Sequence, residues 1–205
     1  MIVTKYTSED MKRLPLRAIA ALVARCSRRI APKALLADTH PEAGRYRTAV
    51  ENAIQLAENF AQGLPCPALE SAVREIESCE SVVGGDFVRE TALHAIVLTA
   101  HTAATALHVL DLRSMPGESH LFGAAKPNPF PHLADLSADL TARDAFTAAV
   151  TAADADGRSD AFIKAGVEDY QKLLALDLGS YPQAGEPIDP SSKGPLGRLE
   201  TKESP

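Results

Sequence analysis

The chain has no tryptophan, and aromatic residues make up only 5% of its 205 positions. Its interior must therefore be built from Ala, Leu, Val and Ile, a supply that favours closely spaced helices over sheets. No stretch alternates apolar and polar residues over the length of a strand, and no repeat of fixed period recurs. The cysteines, Cys26, Cys66 and Cys79, are odd in number and show neither C-x-x-C nor zinc-finger spacing. That pattern implies neither a disulfide framework nor a structural zinc site, and it points to reduced thiols and a cytoplasmic location. There is no G-x-S-x-G and no Gly-rich phosphate loop, so neither hydrolase-type nucleophiles nor nucleotide phosphates have a motif to carry them. Asp154 and Asp156, or Glu75 and Glu77, are paired carboxylates two residues apart, which diverge on a helix and read as solvated charges. A secretory leader is not expected either: Glu9 and Asp10 precede the basic residues, and Arg25 stands where small residues would lead to cleavage.

What the chain does have is one long uninterrupted run, Asp86 to Arg113, free of Pro and Gly and introduced by Gly84 and Gly85. Asp86 is placed as an N-cap, its carboxylate available to the first free amides of a helix. At 1.5 Å per residue that helix is roughly 40 Å long, the width of a small domain. Leu93, Ile96, Val97, Ala100, Ala103, Ala104, Leu107 and Leu110 share one side, and the other holds Ala and Thr without charge. A helix that is apolar nearly all round belongs inside a protein. Three His and four Thr in the run make it a core helix rather than a membrane span.

Other helices are expected around it. Leu16, Ile19, Val23, Cys26 and Ile30 follow helical spacing up to Pro32. Tyr46, Ala49, Val50, Ala53, Ala57 and Phe60 do so up to Gly63, and Leu69, Ala72, Val73, Ile76, Cys79 and Val83 up to the Gly pair. Two more occupy Leu136 to Ala155 and the stretch from Ser159 to Gly179. Between Ser114 and His132 the pattern disappears under Pro116, Pro127, Pro129 and Pro131, which mark a loop. The expected fold is all-α, a bundle of about six helices around a buried central helix at 86–113. A single domain spans 1–178, and a Pro/Gly-rich tail spans 179–205. Tyr181, Ile188, Leu196 and Leu199 are spaced along the tail like anchors, for the chain's own surface or for a partner.

Charge is unevenly distributed. Residues 1–33 carry eight basic side chains against Glu9 and Asp10, a net +6, so within a total of −6 the remaining residues carry −12. A basic first helix set against acidic neighbours accounts for this, and Glu70, Glu75, Glu77 and Glu80 are candidates for those neighbours. No aromatic is interleaved with the arginines and the pI is 5.5, so nucleic acid is not an expected partner.

The strongest chemical hint is histidine. Five of the six fall between His94 and His132, and His94, His101 and His108 are spaced by seven, which places them on one helical stripe. Stripe neighbours are roughly 10 Å apart, too far to share a metal held at about 2.0–2.1 Å. Glu90 and His94, at i and i+4, can point at one divalent transition metal, with His120 or His132 completing the set; no second paired contribution such as H-x-x-x-H is present. The competing reading makes each imidazole a packing and hydrogen-bonding group at the edge of the core, with no cofactor.

The pattern A-A-L-V-A-R-C-S-R-R-I-A-P from Ala20, A-V-E-N-A-I-Q-L-A-E-N-F-A-Q-G ending at Gly63, and G-E-P-I-D-P-S-S-K-G-P-L-G-R-L from Gly185 resemble uncharacterised all-helical bacterial proteins. More distantly, the first helices and the His-bearing central helix resemble immunity proteins of polymorphic toxin systems. That resemblance implies non-catalytic binding of a toxin and carries no site residue. The leading expectation is a non-enzymatic protein-binding bundle. The alternatives are a metal-dependent enzyme using Glu90 and His94, and a self-associating structural protein whose tail crosses to another copy; homo-oligomerisation stays open.

Overall fold

The computed structural model describes residues 6–82, 84–114 and 137–199, with the side chains of 112–114 excepted. These residues form seven α-helices and no strand: α1 (Ser8–Met11), α2 (Leu16–Ala34), α3 (Ala43–Ala61), α4 (Leu69–Glu80), α5 (Phe87–Ser114), α6 (Ala138–Ala155) and α7 (Ser159–Ala175). The all-α bundle expected from hydrophobic spacing is the observed fold, and its six long helices are the six that the spacing marks. The additional helix, α1, is a single turn closed by a capping box, in which Thr7 Oγ1 accepts from the Asp10 amide while the Asp10 carboxylate accepts from the Thr7 amide. The Pro-rich loop expected after Ser114 lies outside the described residues.

α5 starts as its sequence dictates, with Asp86 Oδ1 accepting the Arg89 amide at 3.1 Å. It packs against α2, α3, α4 and α6. Every residue from Thr99 to Ala106 is buried, so for two turns the helix has no solvent side. Phe87–Asp111 has the length and composition of a membrane span, but 61% of its most apolar window is buried against the rest of the chain.

Threonine is tolerated there because its hydroxyl can be satisfied within the helix. Thr99, Thr102 and Thr105 each donate to the carbonyl four residues earlier, at 3.0, 2.8 and 2.8 Å. Two of these hydroxyls also tie neighbouring helices, Thr99 to Ser27 of α2 at 2.8 Å and Thr102 to Thr141 of α6 at 3.1 Å. Ala100, Ala103 and Ala106 of α5 and Ala138, Ala142, Ala145 and Ala149 of α6 are all buried. Small side chains of this kind let two backbones approach closely, as the composition anticipates.

α2 does not stop at Pro32 but runs on to Ala34. Proline costs one amide bond within a helix, and here the loss falls in the final turn, where Ile30 and Ala34 remain buried and hold the geometry. The scarce aromatics are concentrated. The Tyr6 ring meets Phe146 edge-on at 4.7 Å and lies tilted 4.6 Å from Tyr170, and Phe162 lies 6.2 Å from Phe146. Gly166 of α7 lies against this cluster, where a Cβ would sit 2.6 Å from Phe146 Cε2.

The stretch 179–199 has no helix and is nonetheless built into the bundle. Gln183 and Ala184 carbonyls accept the Leu16 and Arg17 amides, at 2.8 and 3.0 Å, so the tail satisfies donors that the first turn of α2 leaves without intrahelical partners. The Ile188 amide donates to Ala61 at 2.8 Å. Arg25, 1% exposed, donates through Nε to Asp169 Oδ2, through Nη1 to the Pro190 and Gly197 carbonyls, each at 2.9 Å, and through Nη2 to the Arg198 carbonyl at 3.1 Å. Arg29 Nη2 reaches the same Asp169 oxygen at 2.6 Å, and Lys172 Nζ holds the Leu196 carbonyl at 2.9 Å. The Asp169 carboxylate thus joins α2 to α7 through Arg25 and Arg29, and Arg25 and Lys172 hold the tail.

Candidate functional site

The end of α4 and the first turns of α5 form the edge where chemistry-bearing side chains gather. α4 lies against α3 and α5, so its acids meet histidines. Glu80 Oε1 is 3.0 Å from His94 Nδ1, and Glu77 Oε1 is 2.8 Å from His101 Nε2. The heptad spacing on α5 is therefore matched by acids three residues apart on α4, which places a His–Glu pair at two successive levels of the helix interface. The basic side of α2 finds its acids elsewhere: Arg28 pairs with Glu51 and Glu58 of α3 at 2.6 and 2.7 Å, Arg25 and Arg29 with Asp169 of α7, and Lys33 with Asp156 at 2.8 Å. The expectation that the four acids of α4 face α2 is corrected accordingly.

The two pairs differ in environment. His101 is buried, whereas the His94 and Glu80 side chains are 56% and 43% exposed. The hydrogen bond to Glu80, with that carboxylate's charge and the Asp144 charge adding to it, raises the His94 pKa above its ordinary value, against an opposing push from partial burial.

Beside this pair lies a cleft of about 370 Å³ lined by Glu80, Phe87, Glu90, Thr91, Leu93 and His94. Glu90 is exposed, and its Oε1 accepts the Gly85 amide at 2.9 Å, which steadies the turn into α5. Phe87, the first residue of α5, is 62% exposed at the rim. It is the most exposed of the large apolar side chains among the described residues.

Of the sequence-predicted metal ligands, Glu90 and His94 line this one cleft, with Glu80 as an acid that spacing along one helix could not reveal. His120 and His132 lie outside the described residues. Among the described residues, no three His, Cys, Asp or Glu side chains are grouped as a metal ion would require. Of the candidate anchors in the tail, Ile188 and Leu196 are 2% and 0% exposed within the chain, and Tyr181 and Leu199 are half-buried. The cysteines are not poised for nucleophilic work: burial pushes the Cys26 thiol up to about 12 and also raises Cys66 and Cys79.

Sequence reasoning missed Phe87 and the buried Asp169. Asp169 carries a readable signal, since it stands among Phe162, Gly166, Tyr170 and Leu173 on the inward stripe of α7, where an acid needs a buried cation. Phe87 carries none, because an aromatic at the start of an apolar helix looks the same whether it faces the core or water. Comparison with known proteins adds no relative to this picture: no family model, no curated protein and no solved structure matches the chain.

Proposed function

We propose that this chain is a non-enzymatic, cytoplasmic protein-binding bundle, an interaction partner or immunity-like inhibitor, that meets its target through the α4–α5 edge around Phe87. The observation that carries the reading is the pairing of one exposed aromatic with an acidic concavity on an otherwise Ala-rich bundle. Exposed aromatics rimmed by polar groups are a common feature of protein contact surfaces. Two of the histidines on α5 serve to join α4 to α5, a structural use that fits a binding protein. The test is a photo-reactive phenylalanine analogue placed at position 87 in the intact chain, with the same analogue at the exposed Leu176 as a control. One discrete adduct from position 87 and none from position 176 is expected; equal labelling at both, or none at 87, contradicts the reading.

A metal-dependent role for Glu90 and His94 is the second reading, favoured by their sharing a cleft with Glu80. It requires a stoichiometric transition metal in protein purified without chelator, lost on Glu90→Ala or His94→Ala.

A further inference from the structure

We propose that the α4–α5 cleft receives a basic side chain, arginine or lysine, presented by the partner protein, its cation on the Glu80 and Glu90 carboxylates and its aliphatic stem against the Phe87 ring. This deepens the protein-binding reading and rests on it.

The charges facing the cleft set its preference. α4 contributes Glu80, and α5 contributes Glu90 and His94; Asp144 of α6, outside the lining and paired with Arg143 at 2.6 Å, acts on His94 through its charge. With His94 neutral, the ionisable lining is two carboxylates; with His94 protonated, one negative charge still remains. An anionic ligand would meet like charge in either state. A purely apolar side chain would cover Phe87 but would also strip water from Glu80 and Glu90 with nothing in return. A side chain with a cation at its tip and methylenes behind it satisfies both halves of the lining, because lysine and arginine stems cover apolar surface and their heads are attracted to carboxylates and to aromatic faces.

The backbone around the cleft is fixed in advance. Glu90 is held by the Gly85 amide, Thr91 Oγ1 donates to the Phe87 carbonyl at 2.7 Å, and Asp86 caps the helix. Binding therefore demands little ordering of the protein.

The experiment is an amide-detected NMR titration of the full chain at low salt with three small probes: N-acetyl-arginine amide, N-acetyl-lysine amide and the uncharged N-acetyl-norleucine amide. Saturable shifts at Phe87, Glu90, Thr91 and His94 are expected with the two cationic probes. Norleucine amide should bind at least about tenfold more weakly, and added salt should weaken the cationic probes. Glu90→Gln retains an oxygen for the Gly85 amide and so keeps the turn, yet should weaken the arginine probe at least about fivefold; Phe87→Ala should weaken it as well. Absence of saturable shifts, equal binding of norleucine amide, or an unchanged affinity in Glu90→Gln overturns the inference. These probes require no partner, so a discrete adduct from position 87 alongside probes that fail to bind would remove the cationic specificity and leave the protein-binding reading standing. Probes that bind without any such adduct would do the reverse.

Discussion

Replacing Asp169 by Asn tests the joint between α2, α7 and the tail. The carboxylate is 2% exposed and takes hydrogen bonds from Arg25 and Arg29 through one oxygen, at 2.9 and 2.6 Å. Asn preserves the shape but leaves two buried guanidinium groups without a counter-charge. Removing one partner from a buried ion pair costs about 3–5 kcal/mol, because the abandoned charge has lost its water as well as its mate. With a urea dependence of about 2–3 kcal/mol per molar, the unfolding midpoint should fall by about 1–2.5 M. The matched control is Glu51→Gln, which removes an acid that pairs with Arg28 at 2.6 Å but is 55% exposed, and should cost less than about 1 kcal/mol. Because Arg25 also holds the Pro190, Gly197 and Arg198 carbonyls, Asp169→Asn should speed amide exchange in the tail more than in α3. Substituting Arg25→Met together with Asp169→Leu should recover only part of the loss, since Arg29 stays buried without its counter-charge and three carbonyl acceptors lose their donor. A midpoint for Asp169→Asn no lower than that of Glu51→Gln would refute the claim that this carboxylate is the buried anchor of the tail.

Two further outcomes follow from the packing and the pairing. Gly166→Ala brings a methyl within 2.6 Å of Phe146 Cε2, and overpacking of that kind costs about 1–3 kcal/mol; a lowered melting temperature checks it, and restoration by the further change Phe146→Leu would show that the ring is the cause. The His94 pKa is raised in the fold by Glu80, so its contribution to stability is fully present below the unfolded value of about 6.5 and is lost as pH rises through the folded value. His94→Gln should therefore lower stability at pH 5.5, by no more than about 1 kcal/mol for so exposed a pair, and have no pH-dependent effect at pH 9.

The helices were legible because apolar spacing and start signals are local. Asp86 before the long run, the Gly84-Gly85 break and the stripe Tyr46, Ala49, Val50, Ala53 are all written within a few residues of one another. What joins the helices is not local. Arg25 and Asp169 are separated by 144 positions, Glu77 and His101 by 24, and nothing in either residue's own neighbourhood names its mate. The α2 N-terminus shows the same limit: Pro15 marks a helix start, but the carbonyls that complete it come from Gln183 and Ala184 in a segment whose composition reads as irregular. For the candidate site, Glu90 and His94, an i, i+4 pair on α5, line one cleft, while the other acid there, Glu80, belongs to another helix, and the exposure of Phe87 depends on how α4 and α5 meet.

The account rests on α5 as the interior post around which the other helices pack. Native-state hydrogen exchange across α5 measures this directly. Amides from Thr99 to Ala106, buried on every side, should open only with global unfolding, and so share the slowest exchange and the full urea dependence of the protein. Exchange in that stretch as fast as at the solvent-facing positions of α3, or with little dependence on urea, would contradict the placement of this helix at the centre of the bundle.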